Sequence, residues 1–377
     1  MSRSRPHPQA EPLRRASRGR GGGVAAVSAA LVLCAPAVAW AQSGEDELRL
    51  SLKVGVESDS NANREEGAAP TPDVLSRYFF VLDANHGIDA AQSVQTRVRS
   101  GGKLFRHVSR ESTLLNQAEV RYTVRPLTSL AQDWLFVYGL GGIKDRTESE
   151  SHRDYLRLEG TAGLGVTLGP VLLTGGGGYR AFAYKPDPAL SSVGPGWELG
   201  ARWSITDRYV LSGGASGQTR RYDATRFVLR DNGDVVQAIG AANLREDGST
   251  ALFGSFQYRG SFIIQVTGTW QDNASNSYGQ SLARLGGVLS ATVPLPADLA
   301  LSGRFSVQQT TYSDEIFIDE TFVVDEDNRN SFAATLEWGM TELIDLEVRY
   351  SLYTQEFGLA SADYLRQLVF VGLGVEL

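Results

Sequence analysis

Apolar and polar residues alternate one by one through most of this chain. Leu48, Leu50, Leu52, Val54 and Val56 interleave with Arg49, Ser51, Lys53, Gly55 and Glu57. At the far end Leu365, Val369, Val371, Leu373, Val375 and Leu377 interleave with Arg366, Leu368, Gly372, Gly374 and Glu376. A period of two sends successive side chains to opposite faces of a strand. Runs of this kind predict strands near 47–57, 75–85, 92–100, 114–124, 132–143, 155–168, 171–184 and 196–205. A second series follows near 208–221, 250–258, 262–271, 279–293, 299–312, 331–340, 343–354 and 364–377. First and last strands with one apolar face each can pair and close the sheet, so the expected fold is an all-β, antiparallel transmembrane barrel of sixteen strands.

The connections support that reading, because they alternate between tight and long. Tight ones are Pro126 to Ser129, Gly169-Pro170, Thr206-Asp207, Arg259-Gly260, Pro294 to Asp298 and Thr341-Glu342. Long ones are Ser58 to Asp73, Lys185 to Pro195, Tyr222 to Ser249 and Ser313 to Asn330. Transmembrane barrels have this asymmetry, with short turns on the periplasmic side and long loops outside. Phe227 to Arg230 and Val235 to Ala238 flank Asp231-Asn-Gly-Asp234, a good hairpin turn. Those two short strands raise the count to eighteen if they cross the membrane. They fall short of the 9–11 residues a crossing needs, so sixteen is preferred.

Tryptophans give an independent check. Trp197 and Trp203 lie on one face of a strand, six residues apart, roughly 20 Å at 3.3 Å per residue. That separation suits two aromatic girdles flanking an apolar band. Trp134, Tyr209 and Trp338 fall beside predicted periplasmic turns, and Trp270 beside an outer loop.

Residues 1–41 read as an export leader, with six arginines, an apolar run from Gly23 to Val38, and Ala39-Trp40-Ala41 as a cleavage site before Gln42. The expected mature barrel is 42–377. Cleavage takes away the sole cysteine, Cys34, and with it any disulfide or thiolate metal site. It also changes the charge, leaving 30 basic and 42 acidic residues and a net of −12. That balance argues against a nucleic-acid partner.

If the apolar faces meet lipid, their alternating partners line the lumen. The candidate pore-lining residues are Arg49, Lys53, Glu57, Arg97, Arg99, Glu119, Arg121, Arg157, Glu159, Glu198, Arg202, Arg304, Glu347 and Arg349. Sixteen strands leave a lumen too wide for side chains alone to fill. Mixed charges select weakly and suit bulky hydrated solutes, although the same residues can also merely pair across the wall. No cofactor or metal is expected. The acidic loop with Asp314, Glu315, Asp319, Glu320, Asp325, Glu326 and Asp327 lacks the turn glycine and terminal glutamate of a calcium loop. His86, His107 and His152 sit in no nucleophile motif, so no enzyme is expected. Gly175 to Gly178 reads as strand, since no Lys-Ser/Thr follows. Asp59-Ser-Asn-Ala-Asn63 reads as turn chemistry.

With these features the chain resembles Gram-negative outer-membrane β-barrel proteins. Its last strand is similar to the signal read by barrel-insertion machinery, departing from it by ending in Leu377 where an aromatic residue is usual. Val54-Gly-Val-Glu-Ser-Asp-Ser-Asn61, Arg245-Glu-Asp247 and Gln271-Asp-Asn-Ala-Ser-Asn276 resemble barrels associated with polysaccharide-secretion gene clusters. Barrels that help deliver surface lipoproteins carry similar strings. The polysaccharide resemblance implies an outer-membrane exit channel, with polysaccharide as cargo, outer-membrane lipids around it and a periplasmic polysaccharide-export protein as partner. A general diffusion porin and a non-conducting structural or assembly barrel are the alternatives.

Overall fold

A computed structural model describes residues 47–62, 70–126, 134–150, 153–315, 330–355 and 364–377. The expected leader, His152 and Asp319, Glu320, Asp325, Glu326 and Asp327 of the acidic loop lie outside the described residues.

The strands are β1 (Glu47–Asp59), β2 (Asp73–Asp89), β3 (Gln92–Phe105), β4 (Thr113–Val124), β5 (Leu135–Glu148), β6 (Tyr155–Leu168), β7 (Val171–Tyr184), β8 (Ser192–Ser204) and β9 (Tyr209–Thr225). After β10 (Phe227–Leu229) and β11 (Val235–Gln237) come β12 (Leu244–Arg259), β13 (Ile263–Ser275), β14 (Leu282–Leu295), β15 (Leu299–Tyr312), β16 (Asn330–Gly339), β17 (Ile344–Gln355) and β18 (Tyr364–Glu376). Sixteen of them form one closed antiparallel barrel, in which each strand pairs with its sequence neighbours and β9 pairs with β12. The ring closes where β1 meets β18, from Ser51 opposite Glu376 to Asp59 opposite Leu368. β10 and β11 pair only with each other, so the hairpin lies outside the wall and the count is sixteen. Among the described residues no helix is long and apolar enough to cross a membrane.

Two contacts identify the inner face. Lys53 on β1 reaches Glu347 on β17 at 2.6 Å and Glu337 on β16 at 3.3 Å, passing over β18. The Tyr138 hydroxyl on β5 donates to Glu198 on β8 at 2.9 Å, over two intervening strands. Only the concave side of a curved sheet lets side chains meet across such gaps. The opposite face carries Leu52, Val54, Val56, Leu199 and Leu373, all exposed.

That outer face is apolar for about five alternate positions per strand and then turns polar. On β1 the apolar set ends at Val56 and Ser58 follows; on β15 it ends at Val307 and Gln309 follows; on β13 Trp270 is followed by Asp272. Nine residues, such as Leu48 to Val56, match the length of a tilted crossing. Aromatic rings gather at the short-turn end, where Tyr209 and Tyr258 lie 5.3 Å apart and Tyr258 and Phe262 5.0 Å apart. The exposed indoles of Trp197 and Trp203 bracket the apolar band on β8. Such girdles flank the lipid-facing belt of transmembrane barrels.

Two backbone details fix local shape. Ala297 and Asp298 both have positive φ, 63° and 56°, in the turn joining β14 to β15. Two successive left-handed residues make the turn whose twist matches that of the strands it joins. Gly176 sits where a Cβ would lie 3.0 Å from the Tyr138 hydroxyl, so the Gly175 to Gly178 run is strand that makes room for a ring.

Candidate functional site: the barrel interior

The register carries the inner parity from strand to strand and puts all fourteen sequence-predicted lumen residues on the concave face. Arg49 lies opposite Asp83, Arg97 opposite Glu119, Arg99 opposite Gln117 and Arg121 opposite Gln95. Arg157 lies opposite Lys144, Glu159 opposite Arg180, Glu198 opposite Ser216 and Arg202 opposite Ser212. Arg304 lies opposite Ser290, Glu347 opposite Glu337 and Arg349 opposite Thr335. Lys53 and Glu57 share the inner parity of β1 with Arg49.

Charged side chains on this face meet in three groups. Nearest the short turns, Lys53 gathers Glu337, Asp345 at 3.2 Å and Glu347. Above it the Phe370 ring lies between the guanidinium groups of Arg349, 5.1 Å away, and Arg77, 6.0 Å away. In the middle of the wall Arg97 bonds Asp83, and Glu159 takes Arg180 at 3.2 Å and Arg157 at 3.5 Å. Arg121 lies 4.9 Å over the Tyr138 ring, whose hydroxyl faces Glu198.

The third group closes the long-loop end. Arg366 bonds both oxygens of Asp59, joining β18 to β1 with both side chains buried. Arg77 donates to Glu57 at 2.6 Å. Glu148 takes Arg146 and Arg153, and Arg153 also reaches Glu111 at 2.8 Å. Arg245 holds Asp247 at 2.8 Å and lies 4.4 Å over the Tyr222 ring. Asp73 accepts from the backbone of His107 and Val108, at 2.9 and 2.8 Å, and its other oxygen lies 2.9 Å from the His107 ring. Apolar clusters sit beside these clamps: Ala62, Leu75 and Phe105 in one, Tyr155, Phe182, Tyr184 and Leu190 in the other. Loop residues Ala62 and Leu190 belong to these clusters, so ordered loop segments pack onto inward-facing side chains at this end.

The wall is uneven around its circumference. Charged inner residues crowd β17, β18 and β1 to β8, whereas β13, β14 and β15 contribute only Arg284 and Arg304. Hydroxyls and amides make up most of the rest, with Val288, Gly286 and Ala300 between them. Thr267 donates to Ser255 at 3.0 Å, Gln265 to Ser255 at 3.2 Å, Gln308 to Thr310 at 3.3 Å, and Thr292 and Ser302 lie 2.9 Å apart.

Among the described residues no group of three or more His, Cys, Asp or Glu is placed to hold a metal ion. Asp314 of the acidic loop accepts from the Gly279 backbone at 2.7 Å. The turn chemistry expected at Asp59 is present, with its carboxylate accepting from Asn61 at 3.0 Å, but the larger role of Asp59 is the bond to Arg366. Parity within the expected strands adds Arg77, Asp83, Arg180, Glu337 and Asp345 to the inner list. Lys144 was hidden because its strand was expected to end at 143.

No family model matches the chain, and no curated protein matches it. Solved structures similar to it include a bacterial polysaccharide outer membrane secretin, at 8% identity and a TM-score of 0.41, covering 87% of this chain and 98% of that one. OmpT, an outer membrane protein of Vibrio cholerae, is similar at 10% identity and a TM-score of 0.42, with 89% and 99% covered. CdiB from Acinetobacter baumannii is similar at 10% identity and a TM-score of 0.47, with 87% and 60% covered. The description of this chain as a transmembrane barrel rests on its own closed register and apolar belt.

Proposed function

We propose that the chain is an outer-membrane channel of a Gram-negative cell and forms the exit for a secreted polysaccharide. One observation carries the reading: the inner wall is built from hydrogen-bonding groups, with a hydroxyl and amide side on β13 to β15 and largely paired charges elsewhere. Hydroxyl-rich chains exchange water for such a surface at little cost, and neutralised charges hold them too weakly to stop release. Passage is passive at this layer, with energy supplied by synthesis and by a periplasmic export partner. No reaction is assigned to the chain.

A general diffusion porin is the second reading, favoured by the mixed signs within single strands such as β1, with Lys53 and Glu57 on one face. Conductance of the refolded mature chain in a planar bilayer, with polysaccharide fragments of graded size, separates the two. The export reading expects open steps that the fragments block in order of size. Open steps indifferent to every fragment would replace it with the porin, and silence from a well-folded barrel would leave a structural or assembly role.

A further inference from the structure

We infer that one cross-strand row on the inner wall, Arg99, Gln117, Lys144 and Arg157, is an anion-binding track for the carboxylate or sulfate groups of an acidic polysaccharide. This rests on the channel reading above and names the charge class of its cargo.

The row follows from the register. Arg99 on β3 lies opposite Gln117 on β4, Gln117 opposite Lys144 on β5, and Lys144 opposite Arg157 on β6. It stops at Val81 on one side and at Phe182 on the other. Four strands about 4.8 Å apart make it roughly 14 Å long. Like charges directly opposite one another destabilise a sheet, and Lys144 and Arg157 are such a pair.

The neighbouring carboxylates offset that repulsion only in part, because Arg157 shares Glu159 with Arg180 and Asp83 is taken by Arg97. Asp83 holds Arg97, Glu159 lies closer to Arg180 than to Arg157, and Glu119 accepts from Gln117 at 2.5 Å. Among the described residues Arg99 and Lys144 make no ion pair; the Lys144 ammonium lies 6.0 Å from the Tyr155 ring. The mature chain is strongly acidic, so a basic row does not follow from composition. Guanidinium and ammonium groups a strand apart offer charge-assisted bonds to successive anionic groups of one ligand. In the ring order β4 and β5 stand opposite β14 and β15, so the track faces the hydroxyl and amide wall. An acidic sugar chain between them meets the basic row on one side and, on the other, hydroxyl and amide partners with Arg284 and Arg304 among them.

The test compares bilayer block by oligouronate fragments with block by neutral oligoglucans of equal length. Acidic fragments are expected to block at about tenfold lower concentration, the ratio that a single charge-assisted contact supplies. R99Q/K144Q should abolish the difference, and Lys144→Arg should keep it. Heat-dependent gel mobility reports whether each variant has folded, and K144Q alone replaces the double variant if that fails to fold.

Equal block by both fragment classes, or a preference unmoved in the variants, would overturn the inference. Reversal potentials in chloride and sulfate gradients separate a track for the polymer from a site for free inorganic anions. Variants that change small-ion selectivity without changing fragment block would make the row a small-anion filter and remove the polymer from the assignment. A silent bilayer would instead sink the channel reading. Calorimetry of oligouronate with the refolded barrel in detergent then reads the row alone: binding lost in R99Q/K144Q supports the track, and binding unchanged refutes it.

Discussion

The long-loop end of the barrel and the part within the apolar belt use the same residue types for different ends. At the loop end the inward charges are buried in pairs, as in Arg366 with Asp59 and Arg146 with Glu148. Within the belt several are partly exposed, as in Arg97 with Asp83 and Arg180 with Glu159, while Glu347 beside Lys53 is buried. The reason is geometric. Inside the belt the backbone ladder is continuous and the outer face is apolar, so the polar groups gather on the inner face. Beyond the belt the outer face turns polar and the strands run on into long loops, so buried charge pairs and small apolar clusters on the inner face add to the backbone ladder. A charge is therefore buried in a structural pair at one end and left partly exposed on the inner face at the other.

The largest expected effect breaks this contrast at the seam. Arg366→Ala leaves the Asp59 carboxylate buried beside β18 without its guanidinium, and removing one partner of a buried pair costs about 3–5 kcal/mol. Urea unfolding of the refolded barrel should show that loss, with the β1 to β18 closure first to open. A loss below about 1 kcal/mol, the level of an exposed pair, would mean that the seam clamp is wet like the belt charges. Leu199→Arg, on the exposed outer face of β8 between Trp197 and Trp203, comes next. A cationic side chain near the bilayer midplane should cost about 2–4 kcal/mol in lipid vesicles. An unchanged midpoint would place the belt elsewhere on the strand.

The same boundary explains what the sequence could and could not say. Within the belt one face is apolar and the other polar, so the period of two is visible, and β1, β6, β7 and β15 were readable nearly to their ends. Beyond the belt the alternation fades. Leu-Arg-Glu-Asp-Gly-Ser at 244–249 reads as loop, yet β12 begins at Leu244 and is held there by Arg245 and Asp247. Strand β9 runs to Thr225 for the same reason, past the expected end at 221. Lumen residues inside the belt were likewise legible by parity. The seam clamp was not, because Asp59 and Arg366 are 307 residues apart and only closure of the ring joins them. The basic row was hidden in the same way, since rows depend on register across strands, which periodicity within one strand does not contain.

The smallest effect sharpens the comparison from the lumen side. Tyr138 is buried with its ring against the glycines of β6 and β7, while its hydroxyl donates to Glu198 across two strands. Tyr138→Phe keeps the ring and removes that one bond. If Glu198 sits in a wet lumen, water replaces the hydroxyl and the loss of stability should stay near or below about 1 kcal/mol. The freed carboxylate then adds a mobile acidic group to the wall, which a bilayer reversal potential reads as a small shift toward cation preference. A loss of about 3 kcal/mol or more would instead put Glu198 in a dry site, and the belt interior would then be built like the loop end, with charge serving the fold rather than the solute.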